Sequence, residues 1–149
     1  MSADDLHRFV LEEYDAMRAS HEHVAVVGLS MGGALSLRLA LTRDVPALVL
    51  LAPYVDMPVA IRRVAGAAGG WGWVGPYFSS RGERSIRDPI AAAKALGHGI
   101  MTPAMLRALH GVVEAAADAL PRVKSPTLVI QSREDNRISV ESAERAGVP

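Results

Sequence analysis

The chain contains no cysteine, which excludes disulfide bonds and thiolate catalysis and leaves the redox compartment undetermined. It carries no excess of either charge: sixteen basic side chains face sixteen acidic ones. No long-range field therefore draws it to nucleic acid or to anionic lipid, and neither is expected as a partner. No apolar run approaches the ~18 residues that a membrane span requires; the longest clean one is only Ala47 to Ala52. No basic-plus-apolar leader opens the chain, and Met1 runs straight into the capping-box pattern Ser2-Ala3-Asp4-Asp5, so the default expectation for localisation is cytoplasmic. Lysine is scarce, with arginine outnumbering it fourteen to two, a bias that points to GC-rich coding more than to arginine-specific work. The P-loop lysine and the G-x-G-x-x-G spacing are also missing, which argues against a phosphate-binding turn.

What is present alternates between two periodicities. At 149 residues the chain is read as one domain, long enough to bury about two thirds of its unfolded surface. Residues 3–19 place Leu6, Phe9, Val10, Tyr14 and Met17 at helical spacing, with acidic and basic residues largely on the other side. Val24 to Val27 is continuously apolar and β-branched, as in a buried parallel strand. Gly33 to Leu41 reads as a helix, with Ser36 and Arg38 free to point outward. Ala47 to Leu51 reads as a second strand and Thr127 to Gln131 as a third. The order helix, strand, helix, strand is the α/β signature. Between these strands, residues 54–120 hold few strand-like runs. They contain an aromatic and Gly-rich centre with Trp71, Trp73 and Tyr77, a helix over about 88–96, and a helix opened by Thr102 and Pro103 that carries Leu106, Leu109, Val113, Ala116 and Leu120 inward. This region is read as a helical insertion lying over the sheet, and its aromatics either line an acyl pocket or anchor the insertion.

One pentapeptide concentrates the chemistry. Within Val24 to Gly33, VAVVGLSMGG, the pattern Gly-x-Ser-x-Gly follows a strand and precedes a helix, which sets Ser30 at the tip of a strand-to-helix turn. Gly28 and Gly32 flank it, as a sharp turn with a closely packed helix needs neighbours without a Cβ. A serine hydroxyl is a poor nucleophile until a base takes its proton, and the base is normally a histidine oriented by a carboxylate. Ser132 to Asn136, a polar loop at the carboxyl end of the third strand, lies where open α/β sheets gather ligands and catalytic groups.

The segments VAVVGLSMGGALSLRLA, ALVLLAP and SPTLVIQSREDNRIS, in that order, resemble the α/β-hydrolase superfamily and are most similar to bacterial carboxylesterases and monoacylglycerol-lipase-like enzymes with a small helical cap. The resemblance implies a partial α/β-hydrolase fold, with a three-stranded parallel sheet, flanking helices and a cap-like insertion at about 54–120. It implies Ser30 as nucleophile, the backbone N–H of Met31 as one oxyanion donor, and Asp135 as the catalytic acid, with Glu134 as fallback. Outside that role, Asp135 reads as a loop carboxylate paired with Arg133 or Arg137.

The same resemblance exposes a gap. The family order is Ser, then Asp or Glu, then His, yet the fourteen residues after Asp135 contain no histidine, and all five histidines precede it. His98 and His110 read as structural, and His21-Glu22-His23 as a solvated turn, since a metal pair would need a third ligand. The segment normally bearing the second oxyanion donor is not represented either, so the sequence looks like the middle of a hydrolase. Ester hydrolysis through an acyl-enzyme is the leading expectation. The alternatives are a catalytically inactive binding module on the same fold and an acyltransferase using the same turn. A small-molecule ester is the expected partner, and no metal or organic cofactor is implied. The exact substrate and the substrate-binding residues are not legible. Unpaired sheet edges beside the first and third strands predict self-association.

Overall fold

The computed structural model describes residues 1–67, 78–79, 88–94, 100–135, 137–140, 142 and 144. Trp71, Trp73, Tyr77 and His98 lie outside the described residues.

The first helix, α1 (Ala3–Ser20), starts where Ser2 and Asp5 close a reciprocal capping box, the Ser2 hydroxyl accepting from the Asp5 N–H and the Asp5 carboxylate accepting from the Ser2 N–H. Its inward stripe differs from the expected one. His7 and Tyr14 are buried with Leu6 and Val10 beside them, while Phe9 and Met17 are exposed. The row Ala3, Leu6, Val10, Tyr14 keeps one face over three turns, and Phe9 and Met17 fall to the side of it. The Tyr14 hydroxyl donates to the Asp44 carbonyl at 2.7 Å and ties this helix to the connector before the second strand.

Strands β1 (Val26–Leu29), β2 (Leu48–Leu51) and β5 (Thr127–Ile130) form a parallel sheet in the order β1-β2-β5, with Gly28 opposite Leu50 and Leu50 opposite Val129. The first strand begins two residues later than its apolar run suggests, because the ladder starts where the Val26 N–H donates to the Ala47 carbonyl. Helix α2 (Met31–Ala40) follows β1 without a loop. Helix α5 (Pro103–Ala119) is capped by the Thr102 hydroxyl, which accepts from the Met105 N–H with proline in the first turn, as its sequence predicts. A single 3-10 turn, Leu120–Arg122, leads toward β5.

Helices α1, α2 and α5 all lie on one face of the sheet. Ala34, Leu35 and Leu37 of α2, Leu48 and Leu50 of β2, and Val112, Ala116 and Ala119 of α5 make one continuous buried core, with Val26 and Val129 against it. The other face carries Val27, Leu29, Val49, Leu51, Leu128 and Ile130. Val27, Leu29, Leu128 and Ile130 are 66%, 64%, 56% and 51% exposed there. Parallel sheets are ordinarily covered on both faces; among the described residues this one is covered on one side only.

Between β2 and α5 the described elements are α3 (Val59–Ala67), the two-residue strands β3 (Phe78–Ser79) and β4 (Ile100–Met101), paired antiparallel, and α4 (Pro89–Lys94). Helix α3 is not foreseen by the sequence reading. Its signal is Pro58 followed by Val59, Ile61, Val64 and Ala65 at helical spacing. Only Ala65 is buried, in a second cluster with Met57, Leu106 and Val113.

Candidate active site

Ser30 sits between the last residue of β1 and the first of α2 with φ 52° and ψ −118°. For a residue with a Cβ this is strained backbone, of the kind that persists only where surrounding contacts over-determine it. Those contacts are visible. The Ser30 N–H donates to the Leu51 carbonyl at 2.9 Å, and the Ser30 carbonyl accepts from Gly33, Ala34 and Tyr54 N–H at 3.0, 3.3 and 3.1 Å. The turn is thus sewn to the end of β2 on one side and to α2 on the other. The hydroxyl makes no capping hydrogen bond to α2, and the residue is exposed. Met31 is the first residue of the helix, so its N–H has no carbonyl one turn earlier to bond and points out of the N-terminus beside Ser30.

The glycines divide differently from the expectation. A Cβ on Gly28 would stand 2.5 Å from Ser36 Oγ and 2.6 Å from Gly33 Cα, so β1 and α2 touch at this point. A Cβ on Gly33 would come 3.1 Å from Pro53 Cβ. At Gly32 there is nothing within 4 Å. The close-approach role foreseen for Gly32 therefore belongs to Gly33, one residue further into the helix, where the axis first comes against Pro53. Ser36 is also not on the outer face. It is buried close against Gly28, and its hydroxyl donates to the Gly32 carbonyl at 2.7 Å. Arg38 does reach outward and pairs with Asp4 of α1 at 2.9 Å.

Asp135 lies on the loop after β5, at the same end of the parallel sheet as Ser30. Its Oδ1 accepts from the Arg137 and Ile138 N–H groups at 2.8 and 3.0 Å, and its Oδ2 accepts from Gln131 Nε2 at 3.2 Å. Partial burial pushes the Asp135 pKa up, but these hydrogen bonds and the Arg137 charge outweigh it and hold the carboxyl below its ordinary value. Glu134, the fallback carboxylate, is exposed, with its N–H on the Ser132 hydroxyl. His110 is half-buried on α5 and reaches Glu114, one turn on, at 3.7 Å.

A cavity of about 720 Å³ opens at this end of the sheet. Its floor is Ser30, Met31 and Tyr54; Ile61 and Val64 of α3 and Leu106 and Leu109 of α5 supply apolar walls; and Arg137 and Ile138 bring in the Asp135 loop. The structure therefore gathers Ser30, Met31 and the loop of Asp135 around one space. Tyr54, like Ile61 and Val64 of α3, is a lining residue that sequence reasoning missed. Its only signal is position, immediately after the β2 strand-end sequence ALVLLAP. Burial, with Asp56 nearby, raises its phenol pKa and keeps it neutral. Among the described lining residues there is neither a carboxylate side chain nor a histidine. Among the described residues no cluster of metal-ligating side chains occurs, and no helix is long and apolar enough to cross a membrane.

A parallel sheet ordered β1-β2-β5, a helix entering directly from its first strand, and an exposed serine at that strand-to-helix bend define this as part of an α/β-hydrolase fold. The comparisons with known proteins take this further. The family model described as "Serine aminopeptidase, S33" matches residues 1–147, and the chain belongs to that hydrolase family. It is 27% identical over 143 residues to a carboxylesterase of Bacillus subtilis, covering 94% of this chain and 55% of that one. Among solved structures it is similar to a monoacylglycerol lipase of Paleococcus ferrophilus, with a TM-score of 0.71 and 20% identity over 98% of this chain and 60% of that one. It is also similar to a metagenome-derived lipolytic enzyme, with a TM-score of 0.80 and 20% identity over 98% of this chain and 58% of that one. At this identity the structures show the fold, and the chain spans well under two thirds of the length of each of these relatives.

Proposed function

We propose that this chain carries the nucleophile and the catalytic acid of a serine hydrolase acting on carboxylic esters. The observation that carries the reading is the constrained, exposed Ser30 on the floor of an apolar cavity that the Asp135 loop also lines. In the proposed reaction Ser30 Oγ attacks the ester carbonyl carbon as a histidine base takes its proton. The carbonyl oxygen becomes an oxyanion beside the Met31 N–H, and Asp135 orients the imidazole and stabilises its charged form. The C–O bond then breaks, the alcohol leaves with the proton from the imidazolium, and water repeats the sequence on the acyl-enzyme. The described cavity lining supplies no such imidazole, so the 149-residue chain alone is expected to turn over slowly.

The lining also favours an ester over a peptide with a free amino terminus. An aminopeptidase must hold an ammonium group, which a carboxylate would pair with, and the charged side chain among the described lining residues is Arg137. An uncharged acyl group of small to medium size suits the walls better. Comparing 4-nitrophenyl butyrate with alanine 4-nitroanilide tests this. Slow ester cleavage that disappears in Ser30→Ala is expected; cleavage that prefers the anilide, or that survives the substitution, contradicts it. An acylated alcohol in place of free acid would point to the acyltransferase alternative.

Self-association of the chain belongs to the same proposal. In the described sheet β1 and β5 are the outer strands, and their unpaired edges offer backbone N–H and C=O groups to a second copy. Sedimentation at rising concentration should show reversible growth in mass, and a strictly monomeric chain would count against it.

A further inference from the structure

The loop from Gln131 to Ile138 is braced by one side chain. Gln131 Nε2 lies 3.2 Å from Asp135 Oδ2, 3.0 Å from the Ile138 carbonyl and 3.3 Å from the Ser132 carbonyl. All three are acceptors with no hydrogen to give, so the amide must present its nitrogen to them, and the amide orientation is fixed by chemistry. The amide oxygen, Oε1, is buried with no partner among the described residues. A buried carbonyl left unpaired is destabilising, and an apolar side chain of the same size would avoid that cost. What the Gln131 side chain achieves among the described residues lies on its donor side.

The donor side settles how the Asp135 carboxylate is rotated. Backbone N–H groups of Arg137 and Ile138 both converge on Oδ1, which by themselves fix one oxygen and leave the other free to swing. Gln131 Nε2 catches Oδ2 and, through the Ile138 carbonyl, ties it to the same residue whose N–H holds Oδ1. A carboxylate has about four acceptor sites, and Oδ2 retains one beyond the Gln131 contact among the described residues.

We propose that Gln131 is a positioning residue for the catalytic acid: it clamps the Asp135 side chain so that Oδ2 is held in one orientation, with acceptor capacity left for the N–H of an imidazole. This rests on the reading of Asp135 as the acid. Gln131 touches no reacting atom and acts only through Asp135. The hydrogen bond from Gln131 is one of the contacts that depress the Asp135 pKa, which gives the clamp a signature that mere packing would not produce.

The test is a ¹³C-carboxyl NMR titration of the chain, with Asp135→Asn to assign the signal, on the parent, Gln131→Met and Gln131→Glu. Gln131→Met keeps the length and removes the donor, and the Asp135 midpoint is expected to rise by about half a unit or more. Gln131→Glu keeps the shape and sets a second carboxylate against the first. It is expected to raise the midpoint further, and it covers the case in which the methionine variant does not fold. Other aspartates should not move. An unchanged Asp135 midpoint in a folded variant overturns the clamp. A parallel measurement follows modification of Ser30 by a fluorophosphonate in the presence of added imidazole, in the parent and in Asp135→Asn. If Asp135→Asn has no effect there while Gln131→Met still moves the midpoint, the clamp stands as geometry and the acid assignment fails. If Asp135→Asn slows the modification and Gln131→Met moves neither midpoint nor rate, the assignment stands and the clamp fails.

Discussion

The two faces of the sheet are built from the same few residue types, yet one is closed and the other open. Leu48 and Leu50 of β2, on the closed face, are buried under α2 and α5, whereas Leu29 of β1 and Leu128 and Ile130 of β5, on the opposite face, are more than half exposed. Topology explains the asymmetry. The chain steps from β1 to β2 to β5 in one direction across the sheet, and successive right-handed crossovers taken in one direction lay their helices on one side. Covering the second face requires elements that these crossovers cannot supply. The difference teaches that an apolar strand reports only that burial is available to it. Which neighbour provides the burial is decided elsewhere in the topology.

Substitutions on the two faces should separate sharply. Leu50→Ala, at a site with no exposed surface, is expected to cost about 3 kcal/mol of unfolding free energy. Leu128→Ala, on the open face of the neighbouring strand β5, is expected to cost less than about 0.5 kcal/mol in dilute solution, since little is removed from contact. Urea unfolding of both variants checks the pair, and equal losses would mean that the second face is packed in solution.

The same comparison can be sharpened at the turn. Gly28→Ala forces a Cβ into Ser36 and Gly33 and is expected to cost about 2 kcal/mol, while Gly32→Ala meets open space and is expected to be nearly neutral. If both glycines of the pentapeptide proved equally intolerant, β1 and α2 would not be touching where they are described.

The smallest effect expected is in pH dependence. The folded-state pKa of Asp135 is depressed below 3.8, so the folded state binds its proton less readily than the unfolded chain does. That contribution is fully present above the unfolded pKa and is lost as pH falls through the folded one. Between about pH 5 and pH 3 the parent should therefore lose more stability than Asp135→Asn. Thermal melts across that window read the difference. On the covered side His7 adds a dependence that starts at higher pH, because burial lowers its pKa and resists the charged form.

Much of this was legible in the sequence where one local cause dominates. The capping box at Ser2, the Thr102-Pro103 helix start and the three apolar strands each announce themselves through residues within one turn or one strand. Ser30 and the loop carrying Asp135 were legible for the same reason. What stayed hidden depends on approach between elements. The Val24 run looks like a strand from its first valine, but pairing begins at Val26, where Ala47 becomes available. Ser36 looks like a surface residue until Gly28 is seen to draw α2 down onto it. Tyr54 and Gln131 carry no motif at all, and their places at the cavity floor and beside Asp135 follow from where β2 and β5 end.

The central claim is that the strained bend at Ser30 presents a reactive hydroxyl. The most direct measurement is peptide mapping by mass spectrometry after exposure to a fluorophosphonate, on the folded chain, the urea-unfolded chain and Ser30→Ala. The account predicts a single adduct on the peptide bearing Ser30, absent from Ser30→Ala and absent once the chain is unfolded. An adduct spread over several serines, or one at Ser30 that forms equally fast in urea, would contradict it.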